Sequence, residues 1–111
     1  MLVKLLNVPT NEQEWDSWAF SHVNNHTLIK QAIQSQKGIN LPVYPIFPIP
    51  LFSFTDWLQR NQRAHTDANG ALGLQSTDLL GLDPRNEEQA EEWIYAHYKE
   101  HENLNQVLRI S

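Results

Sequence analysis

Three times in this chain a tryptophan is followed eight residues later by a histidine: Trp18 by His26, Trp57 by His65 and Trp93 by His101. The match continues along each segment. Counting from Trp18, His22 stands at plus four, Ile29 at plus eleven, Lys30 at plus twelve and Ile33 at plus fifteen. From Trp57 the same places hold Asn61, Ala68, Asn69 and Leu72, and from Trp93 they hold His97, Leu104, Asn105 and Leu108. On an α-helix turning about 100° per residue, these places fall within one arc of about 120°. The repeat therefore predicts three helices, each turning a tryptophan, a His/Asn layer and an aliphatic layer toward a common interior. Every histidine of the chain lies on one of these faces.

Local signals place the helices. Thr10 precedes Gln13 at capping-box spacing and Gly38 supplies a stop, which predicts a helix over 11–36. Ser53 or Thr55 as cap and Gly70 as stop predict a second over 55–69. Asp83 as cap with Pro84 in the first turn predicts a third over 84–107. Residues 1–9 read as a short extended arm. The fold class is mainly α, a single small three-helix domain spanning 1–111.

The segment 39–53, INLPVYPIFPIPLFS, is of another kind. Pro42, Pro45, Pro48 and Pro50 remove backbone donors and push their predecessors extended, so the segment reads as polyproline-like. Val43, Tyr44, Ile46, Phe47, Ile49 and Leu51 make it strongly apolar, so it wraps the domain or binds a partner. It is too broken to cross a bilayer as a helix. Residues 1–8 lack the apolar length of a leader.

The net charge of −5 disfavours nucleic acid and anionic membranes as partners. The absence of cysteine removes disulfides, thiolate metal sites and thiol nucleophiles. The glycines at 38, 70, 73 and 81 are too scattered for a phosphate loop. Ser21, Thr66 and Asp67 lie near histidines but off their arc, so no catalytic residues are assigned and the chain reads as non-enzymatic. Glu100 and Glu102 read as part of a solvated acidic face with Glu87, Glu88, Glu91 and Glu92. That face gives one functional alternative, a small intracellular protein-binding regulator. Tyr95 and Tyr98 point away from the Trp93 face.

The first expectation for Trp18, His22, His26, Trp57, Asn61, His65, Trp93, His97 and His101 is a structural polar layer, hydrogen-bonded throughout, with the indoles donating to neighbouring His or Asn. No cofactor is then needed. The alternative is a metal site. His22 with His26 and His97 with His101 have the i, i+4 spacing that lets two imidazoles share an ion, and His65 completes the set.

Trp57 with Gln62 and His65, Asp78-Leu79, Leu82-Asp83, Trp93 with His97-Tyr98, and Glu100-His101 are the residues that carry a family likeness. With Trp18, His22, His26 and the proline-rich bridge, the chain resembles small virion structural proteins of tailed bacteriophages. The likeness spans nearly the whole chain. It implies a capsid, neck or tail component, present in multiple copies in a symmetric assembly, bound to other virion structural proteins. It places the protein in the virion, and in host cytoplasm before assembly. Asn61 departs from the histidine that the other two segments carry at that place, which argues against an essential metal ligand there.

Overall fold

The computed structural model describes residues 5, 8–42, 54–84 and 86–110, with backbone alone for Phe54, Thr55 and Glu87. Three α-helices make up the domain: α1 (Glu12–Lys37), α2 (Phe54–Ala71) and α3 (Glu87–Leu108), with no strand among the described residues. Each helix packs on the other two. No described helix is long and apolar enough to cross a membrane.

The helix ends differ in detail from the sequence expectations. Helix α1 is capped by Asn11, whose side chain accepts from Glu14 N, while Glu14 Oε1 reaches back to Thr10 N at 3.0 Å. The reciprocal box is thus built one residue later than Thr10 and Gln13 suggest. Gly38 closes α1 in the left-handed region at φ 68°, as the sequence predicts. Helix α2 begins before Thr55, which therefore does not cap it, and continues through Gly70; the left-handed turn falls at Gly73 (φ 71°). Helix α3 starts three residues after Pro84: Asn86 N donates to Asp83 O at 3.0 Å, and Asn86, not Asp83, is the cap.

Two apolar layers sandwich a polar one. Trp18, Trp57 and Trp93 meet with ring centroids 5.7–6.0 Å apart, joined by Leu5, Ala19, Leu79 and Ile94. At the other end Ile29, Ile33, Ala68, Leu104 and Leu108 form the aliphatic layer. Within the expected extended arm 1–9, Leu5 is helical rather than extended, and it is fully buried with its carbonyl accepting from Trp18 Nε1 at 3.4 Å. The loop from α2 to α3 is pinned by Gln62, which donates to Thr77 O and accepts from Leu79 N. Residues 43–53, and with them the partner-binding set Val43, Tyr44, Ile46, Phe47, Ile49 and Leu51, lie outside the described residues.

A candidate metal centre of five histidines

All five histidines meet between the two apolar layers. One ring nitrogen from each of His22, His26, His65, His97 and His101 lies within 4.8 Å of the others. The repeat explains the convergence: matched offsets from three packed tryptophans carry the rings to matched heights on three helices. Trp18 stacks on His22 and Trp93 on His97, with centroids 4.9 and 4.7 Å apart, which fixes those imidazoles from above. His22, His65, His97 and His101 are wholly buried, and only His26 keeps partial exposure.

The rings face one another through their Nε2 atoms. His26 and His22 stand 2.9 Å apart, His101 and His65 3.1 Å, and His101 and His97 3.2 Å. A neutral imidazole owns a single N–H. His65 Nδ1 donates to Glu100 Oε1 at 3.0 Å, and His101 Nδ1 donates to Asn25 Oδ1 at 2.6 Å. The Asn25 amide is held in that sense by its Nδ2, which donates to Asn105 Oδ1. The Nε2 atoms of His65 and His101 thus face each other across the layer, and two neutral rings in this setting would oppose two lone pairs that a shared proton or a cation between them relieves.

Burial holds His22, His26, His97 and His101 well below the ordinary histidine value of 6.5, and repulsion among the rings adds to it. At neutral pH these are neutral donors. A hydrogen-bonded layer alone is incomplete here, since His22 Nδ1 and His97 Nδ1 are buried without a partner. Two of the indoles do not complete it: Trp18 donates to Leu5 O, and Trp93 Nε1 is buried without a partner.

Glu100 belongs to this site and not to a solvated face. It is 6% exposed and accepts from His65 Nδ1, Asn69 Nδ2 and Thr77 N. The signal was in the register: Glu100 lies seven after Trp93, about 20° from it on the helix. Asn25 stands at the same offset from Trp18. These two plus-seven residues hold the outer nitrogens of His65 and His101. Asn61 is buried in the layer with its Oδ1 3.4 Å from His97 Nε2. Of the remaining acidic residues, Glu88, Glu91 and Glu92 are exposed, and Glu102 binds Tyr98 and Lys99. Tyr95 is exposed, whereas Tyr98 packs against the tryptophan layer.

Comparison of the chain with protein families, with characterised proteins and with solved structures finds no match.

Proposed function

We propose that this protein is a metal-binding helical domain that holds a first-row transition-metal ion on the imidazoles of His22, His26, His65, His97 and His101. The observation that carries the reading is the Nε2 contact of His65 and His101 at 3.1 Å, at the heart of five nitrogens within 4.8 Å. One proton would relieve one pair; it would not call for five convergent donors.

The spacing suits an ion. With metal–nitrogen bonds of about 2.0–2.1 Å, neighbouring ligand nitrogens lie about 2.9 Å apart at a right angle and about 3.4 Å apart at the tetrahedral angle. The three Nε2 pairs span 2.9–3.2 Å. Neutral nitrogen donors suit iron, cobalt, nickel, copper and zinc, and the lack of carboxylate in the inner set disfavours magnesium and calcium. Five donors favour an ion at ease with five or six ligands over a closed tetrahedral zinc site. Glu100, one ring removed through His65, supplies the buried negative charge, in the carboxylate–histidine arrangement that orients metal ligands.

The test is elemental analysis and metal titration of protein made without a histidine tag. The expected result is one ion per chain at neutral pH, removed by chelator and lost in a variant with His65 and His101 both changed to Ala. Failure of iron, cobalt, nickel, copper and zinc alike to bind stoichiometrically overturns the reading.

The virion role is a separate proposal that rests on resemblance. The segment that would carry it lies outside the described residues. Its test is whether Ile46, Phe47 and Ile49 changed to polar residues keep a folded chain out of particles.

A further inference from the structure

The three-helix repeat loses side-chain volume at one place, and a pocket opens there. At plus seven, Asn25 and Glu100 correspond to Ala64; at plus eleven, Ile29 and Leu104 correspond to Ala68. At plus twelve, Asn69 and Asn105 correspond to Lys30. Ala64, Ala68 and Lys30 all line a single pocket of about 120 Å³, together with Ile29, Asp67 and His26. His26 is also the one histidine of the five that is not fully buried. These departures from the repeat converge on the side where, among the described residues, His26 meets the pocket.

We propose that this pocket is a small-ligand site opening on the metal, and that His26 is the exchangeable ligand that yields its place there; the inference rests on the metal reading above. The other four rings are locked. His65 and His101 are tied through Nδ1 to Glu100 and Asn25, and His22 and His97 are stacked beneath tryptophans. His26 has neither an Nδ1 bond nor a tryptophan stack among the described residues; its hydrogen bond is the Nε2 contact with His22. A ring held only on its inner side is the one that can swing into the pocket without breaking another bond.

The pocket's size and lining define what it takes. Its volume of about 120 Å³ admits a lone-pair donor of a few heavy atoms. Lys30 offers it a positive charge. Asp67 Oδ2, buried without a hydrogen-bond partner, offers an acceptor for a ligand that carries a proton. The ligand class is therefore a small anionic or protic donor that coordinates through nitrogen or oxygen.

Cobalt(II) is the informative ion, because its visible bands report ligand number. The wild-type protein and the variants His26→Ala and Ala64→Leu are loaded with cobalt, the bound metal is counted, and each is titrated with azide. Saturable band shifts in the wild type, about tenfold tighter azide binding in H26A and about tenfold weaker binding in A64L support the site. Unchanged spectra in both wild type and H26A, with cobalt bound one per chain, overturn it and leave the metal reading standing. Azide affinity in a folded A64L equal to wild type also overturns it, because the ligand then arrives by another route. Should A64L not fold, the comparison of H26A with wild type decides alone: a variant no tighter than wild type counts against His26 as the exchangeable ligand. Failure of all three proteins to bind cobalt overturns the pocket site, and the metal reading falls with it only if iron, nickel, copper and zinc fail as well.

Discussion

His65 and His101 meet Nε2 to Nε2 at 3.1 Å, while the Nδ1 of each ring faces an acceptor on its far side. The contact couples the outer partners to the centre. Glu100 holds a proton on His65 Nδ1 and so turns the ring's Nε2 inward. Glu100→Gln removes the charge and puts a donor amide in place of either Oε1, which accepts from His65 Nδ1 and Asn69 Nδ2, or Oε2, which accepts from Thr77 N. Metal affinity is expected to fall by about 10–100-fold, the usual effect of losing such an outer partner. Competition against a coloured chelator measures it, and an unchanged affinity would show that the carboxylate only supports the fold.

Metal-free protein should lose stability on acidification. The folded-state values of His22, His97 and His101 lie well below 6.5, chiefly through burial. Below the unfolded value the unfolded chain then binds more protons, so stability is fully present above about pH 6.5 and falls as pH drops toward the folded values. Each such ring contributes a slope of up to roughly 1.4 kcal/mol per pH unit. His26 is also lowered but touches the pocket, so its share is smaller. Denaturant melts of chelator-treated protein between pH 7.5 and about pH 5 provide the check, and a flat profile would contradict the neutral, buried state.

Bound metal should oppose that loss. An ion that binds only the folded chain, at a free concentration about one hundred times its dissociation constant, adds about 2.7 kcal/mol. In a domain of this length that is roughly 10 °C in Tm. The gain should shrink at low pH, because protons compete for the same nitrogens. Thermal melts with metal or with chelator, at neutral and acid pH, read both effects. A Tm that ignores metal at neutral pH would mean that the five nitrogens do not act as ligands.

The fold was readable because one offset, repeated from Trp18, Trp57 and Trp93, fixes both which face is inside and at what height each layer lies. The five histidines were legible for the same reason. Glu100 was not, because its neighbours Glu102 and Lys99 make the local sequence look solvated; only the register shared with Asn25 marks it as interior. The choice between a satisfied polar layer and a metal site also lay beyond the sequence. It turns on which ring nitrogen faces inward, and that depends on partners 35 residues away for His65 and 76 residues away for His101. The helix ends shifted where two residues compete for one role, as at Gly70 and Gly73 or Pro84 and Asn86.

The ends of α1 and α3 make opposite demands on one conformation. Gly38 and Arg109 both sit in the left-handed region, at φ 68° and 59°. A Cβ at Gly38 would meet nothing within 4 Å, so Gly38→Ala isolates the backbone cost, about 1 kcal/mol. Arg109→Gly should recover a comparable amount. Both ends lie away from the histidines, so metal affinity should be unchanged in each variant. Chemical melts alongside metal titration test the pair, and equal signs for the two changes would refute the assignment of strain.

Asn61 is the place where the repeat withholds a histidine. It occupies the height of His22 and His97, and its Oδ1 lies 3.4 Å from His97 Nε2. Asn61→His would bring a sixth imidazole to the layer. The site is buried to 1% exposure, so the larger ring should cost the metal-free protein about 1–3 kcal/mol through overpacking. The added nitrogen is repaid only when an ion is present, so the metal-induced rise in Tm should be larger in the variant than in wild type. Paired melts with and without nickel decide the matter. A rise no larger than that of wild type would place position 61 outside the reach of the ion and confine the ligands to the five histidines already present.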